Sequence, residues 1–314
     1  MRALVVPALA AAPEPREVPP AEPGPGQATV RLLAAGLNPV DLGIAAGRFY
    51  LPVPPPPYVA GAEAVGEVER SATHAPGTRV WVLQPTGCFA ERFVADDADL
   101  VPVPEGVDDV TAAAIGIAGL AGWMSVHWRG GLAGGETVLV LGGGSCVGQA
   151  AIQAAAPVAG RVVAAARSAE SLGRARDLGA ATVALGGPDD AAALREVCAP
   201  GADLVVDILW GEPLLAAVGA LSRRARIVQV GSAAAPTAAL ASGPLRGRRV
   251  DLRGFSVFSE AREDVAAAYA DLAGAAGRGE VRLDVETVPL SDGPAAWARQ
   301  AAGAGGRKLV LTPG

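Results

Sequence analysis

Short apolar runs interrupted by proline and glycine dominate the first third of the chain. This pattern is typical of β-strands separated by turns. The proline run 54–57 must be extended and stiff, so residues 51–58 are predicted to form a loop. The predicted strands of this β-rich part are 2–6, 28–33, 64–69, 78–83 and 90–94.

A different pattern begins near residue 110. Small and apolar residues dominate 110–128, which predicts a helical segment leading into the next part of the chain. Six apolar runs with helical stretches between them then predict a parallel, doubly wound α/β sheet. The strands are predicted at 137–141, 161–165, 181–185, 204–208, 225–230 and 250–254, and the helices at 147–156, 171–178, 191–197 and 213–221.

The carboxyl-terminal tail alternates between helix and strand. A helix is predicted at 262–276, a strand at 281–288, a second helix at 293–302 and a last strand at 308–311. With these helices and strands, the tail is expected to pack back onto the β-rich part.

One strand–turn–helix segment gives the strongest indication of a binding site. The apolar run 137–141 meets three glycines and passes directly into a helical pattern. Glycines let the backbone approach a pyrophosphate closely, and the unpaired N–H groups at a helix start attract the anion. The residues predicted to bind a dinucleotide here are Gly142, Gly143, Gly144, Ser145, Cys146 and Val147. Ser145 brings a Cβ that would crowd the pyrophosphate, and a hydroxyl that could donate to it.

We therefore predict two domains. Residues 119–258 form the dinucleotide-binding domain, and residues 1–118 with 259–314 form a β-rich domain for substrate and catalysis.

The tip of the second strand of the predicted sheet indicates which coenzyme binds. An acid about 20 residues beyond the glycines would bind the adenine ribose hydroxyls of NAD. Here the strand ends in Arg167 and Ser168, and a guanidinium can bind a 2′-phosphate bidentately. This predicts NADPH. If Arg167 is instead an ordinary solvated side chain, the site would not distinguish NADPH from NADH.

Composition and charge narrow the class of partner. The chain is 51% hydrophobic, so it can bury large cores, and its net charge of −6, with no lysine or arginine clusters beside aromatics, argues against nucleic acid. It has no apolar run of membrane-spanning length and no signal-peptide pattern, so we expect a cytoplasmic protein that does not enter membranes.

Its three cysteines are too scattered for a disulfide framework or a metal cluster. Lys308 is the only lysine, which we interpret as compositional bias.

Eight segments resemble, in order, those of one known family. Among them are AAGLNPVDLGIAAG at 34–47, YVAGAEAVGEVE at 58–69 and the nucleotide loop itself. The others are 174–183, 203–211, 226–232, 252–258 and 307–311. The chain resembles the zinc-free quinone oxidoreductase branch of the medium-chain dehydrogenase/reductase superfamily over nearly its whole length.

This resemblance implies a central Rossmann domain, a GroES-like β-rich catalytic domain and a homodimer, with the strand at 250–254 as a candidate interface. It also implies that residues following the fifth and sixth strands lie near the nicotinamide: Gly231, Ser232, Phe255 and Ser256. Zinc-dependent relatives carry a cysteine where Asn38 or Pro39 stands and a histidine where Ala62 stands, so no zinc site is expected.

The chemistry expected without zinc is hydride transfer to a quinone or to the C=C bond of an α,β-unsaturated carbonyl compound. The predicted catalytic residues are Asn38, for orienting ribose or substrate carbonyl, and Tyr50 or Tyr58, as proton donor. Water fits the proton-donor role as well as either tyrosine. Three acids are predicted to have structural roles: Asp41 as a hydrogen-bond acceptor, Glu63 as partner of an arginine and Asp207 as a turn cap. The competing interpretation is a non-catalytic NADPH-binding sensor or structural protein.

Overall fold

The computed structural model describes residues 1–314, which divide into two compact units. Unit 1 comprises Met1–Ile117 and Ala261–Gly314, and unit 2 comprises Ala118–Glu260. None of the helices combines the length and the apolar character needed to cross a membrane.

Unit 1 is rich in β-strands. Its strands are β1 (Arg2–Val6), β2 (Glu14–Glu17), β3 (Gln27–Leu37), β4 (Tyr58–Val59), β5 (Glu63–Arg70), β6 (Arg79–Leu83), β7 (Arg92–Asp96), β8 (Leu100–Pro102), β15 (Val285–Pro289) and β16 (Lys308–Thr312). Its helices are α1 (Pro39–Ala45), α2 (Asp109–Ala114), α9 (Arg262–Gly277) and α10 (Gly293–Ala301). All five strands predicted in the first third of the sequence are present, whereas the short β2, β4 and β8 were not predicted.

The larger sheet of unit 1 joins the amino-terminal part to the tail. Its order is β15-β16-β3-β5-β6-β8, with β7 also paired to β3. Along β3, buried and half-buried residues alternate, as expected for a strand with one face on the core. Leu309 of β16 pairs antiparallel with Leu37 at the end of β3, so the last strand lies directly beside the start of α1. The tail and the amino-terminal part therefore share one sheet.

Unit 2 is a parallel sheet with helices between its strands. The strands are β9 (Thr137–Leu141), β10 (Arg161–Ala166), β11 (Ala181–Ala184), β12 (Ala202–Asp207), β13 (Leu221–Gln229) and β14 (Asp251–Gly254). The helices are α3 (Ile117–His127, which begins at the boundary), α4 (Cys146–Ala155), α5 (Ala169–Asp177), α6 (Asp190–Val197), α7 (Glu212–Ala217) and α8 (Ser242–Arg248). The strand order β11-β10-β9-β12-β13-β14 is that of a Rossmann fold, and it confirms the predicted fold class.

The continuous apolar runs of unit 2 explain its parallel sheet. All five residues of β9 are buried, as expected for a strand covered on both faces. The segment 110–128 is helical, as predicted, and forms the two helices α2 and α3. The prediction was wrong in two details. The helix predicted at 213–221 ends at Ala217 because Leu221 already pairs with Ala202. Helix α8 was missed because none of its residues is buried, so it has no apolar periodicity.

Candidate functional site

The carboxyl ends of five parallel strands in unit 2 lie in one row. Ala165, Leu141, Asp207, Gln229 and Gly254 are successive register partners across the sheet. The residues that follow them therefore lie along a single edge. Strand β9 lies between β10, which follows it in the chain, and β12. The strand order reverses here, which makes this edge the topological switch point where open α/β sheets bind ligands.

The glycine loop between β9 and α4 is packed too tightly for side chains. Gly142 has a left-handed φ of +92°, and its amide and that of Gly143 both donate to the carbonyl of Ala165. A Cβ on Gly143 would lie 2.6 Å from that of Ala164, and one on Gly144 would overlap Ser171. The loop therefore holds its backbone close to the neighbouring strand and helix, which leaves its amides at the sheet edge.

Ser145 is the N-cap of α4. Its hydroxyl accepts from the amide of Gly148 at 3.1 Å and donates to the carbonyl of Gly142 at 2.8 Å. Its proton is therefore engaged within the loop. The amides of Gly144 and Val147 donate to no acceptor in the protein. Two unpaired donors at a helix start fit a pyrophosphate.

The end of β10 carries the residues predicted to read the ribose phosphate. Arg167 and Ser168 are both exposed. The Ser168 hydroxyl caps α5, accepting from the amide of Ser171 at 3.1 Å and donating to its hydroxyl at 2.9 Å. Arg167 makes no hydrogen bond or ion pair within the protein, so its guanidinium is available to an anion.

The residues predicted near the nicotinamide lie at the same edge. The amide of Gly231 donates to the carbonyl of Asp207, and a Cβ on Gly231 would lie 2.8 Å from the Ile208 carbonyl. Ser232 is exposed, whereas Phe255 is buried and its amide donates to the carbonyl of Gln229. Ser256 follows it and is half-buried.

Asp207 is a fully buried acid at the end of β12. Its Oδ1 accepts from the amides of Leu209 and Trp210 at 3.0 and 2.9 Å, which confirms the predicted turn cap. Its Oδ2 has no partner. Burial raises the pKa of Asp207, and the two backbone hydrogen bonds oppose that rise.

In unit 1, Asn38 belongs to a buried polar network. Its Oδ1 accepts from Nζ of Lys308 at 2.5 Å, and its Nδ2 donates to Oε1 of Glu63 at 2.7 Å and to the carbonyl of Gly36 at 3.0 Å. Lys308 also contacts Oε1 of Glu63 at 2.9 Å. The carboxamide is thus held on both sides, and its orientation is fixed.

Glu63 is the centre of this network. Its Oε2 accepts from Nε1 of Trp81 at 3.1 Å and from the amide of Ile117 at 2.6 Å. The predicted arginine partner was wrong, since Lys308 holds that position. No role was predicted for Lys308 from the sequence. A single lysine at the start of the apolar strand KLVL could have indicated a buried, paired charge.

Asp41 fixes the start of α1. Its two oxygens accept from the amides of Asn38 and Ala62, both at 2.8 Å, which confirms the predicted acceptor role. Burial raises the pKa of Asp41 from its usual 3.8 to about 7, although the hydrogen bond from Asn38 and the charge of Lys308 lower it.

The two candidate tyrosines have different surroundings. Tyr50 is 59% exposed, and its ring lies 4.8 Å from that of Phe49. Tyr58 is half-buried, and its hydroxyl is buried without a partner in a small pocket that Asp41 and Trp297 also line. Burial, and then the negative charge of Asp41, raise the pKa of Tyr58, which keeps its hydroxyl protonated.

The residues at the expected zinc positions do not fit a zinc ion. Asn38 and Ala62 supply neither thiolate nor imidazole, and the carboxylate of Glu63 is already bound by its neighbours. The structure contains no group of three or more histidine, cysteine, aspartate or glutamate side chains that could hold a metal ion.

Comparison with protein families finds two matches. Residues 24–105 match the model described as the alcohol dehydrogenase GroES-like domain. Residues 146–274 match the model described as zinc-binding dehydrogenase.

Two curated relatives illustrate the range of similar proteins. The chain is 28% identical over 282 residues to a quinone oxidoreductase of Pseudomonas aeruginosa, which covers 87% of this chain and 86% of that protein. It is 31% identical over 217 residues to the phthioceranic/hydroxyphthioceranic acid synthase of Mycobacterium tuberculosis. That match covers 67% of this chain but spans only 10% of the synthase.

Solved structures are similar over the full length. The quinone oxidoreductase of Thermus thermophilus, also solved in complex with NADPH, has a TM-score of 0.82 and 29% identity, covering 99% of this chain and 100% of that one. An NAD-dependent alcohol dehydrogenase has a TM-score of 0.86 and 28% identity, with 100% of both chains covered.

Proposed function

The chain belongs to the medium-chain dehydrogenase/reductase superfamily, in its quinone oxidoreductase-like branch, and from that premise we propose that it is an NADPH-dependent, zinc-independent reductase. Its substrates are quinones or the C=C bonds of α,β-unsaturated carbonyl compounds. The observation that carries the proposal is the glycine loop at the switch point, with unpaired amides at Gly144 and Val147 and an unpaired guanidinium at Arg167.

The coenzyme-binding roles follow from this edge. The amides of Gly144 and Val147 in the loop Gly142–Val147 would bind the pyrophosphate. Arg167 binds the 2′-phosphate by charge-assisted hydrogen bonds, with Ser168 beside it. The segments at Gly231–Ser232 and Phe255–Ser256 orient the nicotinamide.

Bound NADPH supplies a hydride from C4 of its nicotinamide. The substrate's own conjugated carbonyl takes up the developing negative charge, so hydrogen-bond donors are sufficient where a metal ligand set is missing. Asn38, whose carboxamide is fixed by Lys308 and Glu63, orients ribose or substrate. Tyr58 or Tyr50 donates the proton, or water does so.

Coenzyme choice is tested by Arg167→Ala. Loss of a charge-assisted contact should weaken NADPH binding about tenfold or more, while NADH binding stays unchanged. Calorimetric titration with both coenzymes measures this. Arg161→Ala is the matched control, since Arg161 is an exposed arginine at the opposite end of the same strand. Equal loss for both coenzymes would contradict the proposed role of Arg167.

The reaction is tested by steady-state NADPH oxidation with a panel of quinones and enones. Turnover with members of either class is the expected result. Saturable NADPH binding without turnover across the whole panel would favour the non-catalytic sensor instead. Absence of any response to either reduced coenzyme would overturn the proposal altogether.

A further inference from the structure

Five exposed arginines at one end of unit 2 have no ion-pair partner. In unit 1, by contrast, arginines such as Arg2, Arg31 and Arg92 are bound to carboxylates at 2.7–2.9 Å. We call the five unpaired residues the arginine edge: Arg195, Arg223, Arg224, Arg246 and Arg249.

A bulge near the start of β13 carries two of the five arginines. Ala202 pairs with Leu221 and Leu204 pairs with Arg226, so a step of two residues along β12 matches a step of five along β13. Three residues are therefore surplus in β13, and the exposed Arg223 and Arg224 lie among them. Bulges of this kind re-aim side chains away from a regular sheet.

The other members converge on the same end of the sheet. Arg248, at the end of α8, donates to the carbonyls of Val218 and Gly219 at 3.3 and 3.4 Å. A Cβ built on Gly219 would lie 3.2 Å from Nη1 of Arg195, so α6 and α8 both contact the segment just before β13 begins. Arg246 and Arg249 belong to this same end of α8, where the amide of Arg249 donates to the carbonyl of Arg246.

The backbone at this edge would favour glycine at two positions. Arg224 and Arg249 have φ values of 62° and 56°, in the left-handed region. Residues with a Cβ are uncommon there, and glycine adopts it readily. The chain nevertheless carries a guanidinium at both positions.

Neighbouring carboxylates do not neutralise the arginine edge. Asp203 accepts from the hydroxyl of Ser222 and the amide of Thr137, and Asp251 pairs with Arg253. The exposed Glu196, next to Arg195 in the chain, forms no ion pair with any of the five arginines. A local positive surface therefore lies on a chain whose net charge is −6.

We propose that the arginine edge docks an acidic surface of another protein. Guanidinium groups bind carboxylates bidentately and are enriched at protein interfaces. None of the five arginines is accompanied by an exposed aromatic on its own element, which bases of single-stranded nucleic acid would require for stacking. The negative remainder of the chain would repel long polyanions and anionic membranes, whereas a compact acidic patch matches a local site within the Debye length.

The test uses the full chain and a short fluorescent oligo-glutamate peptide as probe, because the negative remainder of the chain would repel a long polyanion. Arg224→Gly/Arg249→Gly removes two charges at positions where glycine suits the backbone, so the variant should fold. Fluorescence anisotropy at low ionic strength should show binding about tenfold weaker than in the wild type. Arg223→Ser/Arg246→Ser should weaken it similarly, which guards against a folding artefact in the first pair.

The matched control is Arg16→Ser/Arg70→Ser, which removes the same charge from exposed positions in unit 1. Peptide binding should be retained in this control. Equal loss in control and test variants, or no loss in the test variants, would overturn the proposal. Tighter wild-type binding to duplex DNA or to phosphatidylserine vesicles than to the peptide would overturn the assignment to a protein partner. None of these outcomes depends on coenzyme binding or turnover.

Discussion

At the scale of single residues, the buried pair of Lys308 and Glu63 decides the geometry around Asn38. Both side chains are at most 2% exposed, and every oxygen of the Glu63 carboxylate has a donor. Charges buried in this way cost several kcal/mol to desolvate, so they persist only when their partners are complete. Removing one member leaves the other uncompensated.

Lys308→Met should therefore destabilise the protein by about 3–5 kcal/mol. The double variant Lys308→Met/Glu63→Gln should recover part of this loss, since it removes the orphaned charge as well. Urea denaturation of both single variants and the double variant measures the coupling. A single variant that unfolds at the same urea concentration as the wild type would show that the pair contributes nothing.

The raised pKa of Asp41 predicts a dependence of stability on pH. The folded protein holds this proton more tightly than the unfolded chain, with a pKa of about 7 against 3.8. The stabilisation it gives is complete below about pH 4 and is lost as the pH rises through 7. Asp41→Asn cannot lose a proton, so its unfolding free energy relative to the wild type should rise by up to about 4 kcal/mol across that window.

Denaturant titrations at several pH values measure this difference. The exposed Asp271, changed to Asn, is the control and should show no such trend. A constant offset between Asp41→Asn and wild type at all pH values would contradict the raised pKa.

At the scale of elements, the junction of β9 and α4 combines a cap with close backbone packing. Ser145 satisfies the amide of Gly148, and Gly148 in turn lies against the backbone of Gly142 and Gly143. The helix start therefore cannot move away from the strand end without breaking both arrangements. This rigidity keeps the unpaired amides of the loop in place.

Two substitutions separate these contributions. Ser145→Ala removes the cap and should cost about 1 kcal/mol of stability. Gly148→Ala should cost more, because its Cβ would press on backbone atoms that cannot turn aside. Thermal unfolding gives both values.

Gly173→Ala is the matched control, since Gly173 lies in helix α5 with nothing within 4 Å of an added Cβ. It should stabilise the helix by about 0.5–1 kcal/mol. Equal effects of Gly148→Ala and Gly173→Ala would refute the close-packing argument.

At the scale of the whole molecule, two units with separate sheets carry different candidate residues. Unit 2 contains the six-stranded parallel sheet and the proposed coenzyme edge, whereas unit 1 holds the Asn38 network. A ligand stabilises the part of a protein that binds it, by about 2.7 kcal/mol at a hundred times its Kd. The location of that stabilisation is measurable.

Hydrogen exchange with and without NADPH should therefore show its largest gain of protection in β9, α4 and β10. Arg167→Ala at the same NADPH concentration should show a smaller gain, because less of it is bound. Protection that increases only in unit 1 would contradict binding at the glycine loop.

The sequence by itself determined the parallel sheet, its glycine loop and most strand positions. These depend on neighbouring residues: a fully buried strand needs an apolar run, and a tight turn needs glycine, so both leave a local pattern. The role of Arg167 was predicted in the same way, from its distance to the loop. Helix α8 left no such pattern, since it buries nothing.

Only the tertiary structure decided the partners of the buried polar groups. Lys308 lies 270 positions from Asn38 and 245 from Glu63, and they meet because β16 pairs with β3 at the start of α1. The convergence of the arginine edge likewise depends on the bulge in β13 and on the contacts that α6 and α8 each make with the segment at Gly219. Such contacts follow from which strands and helices pack together, and a periodicity along the chain carries no record of a partner hundreds of residues away.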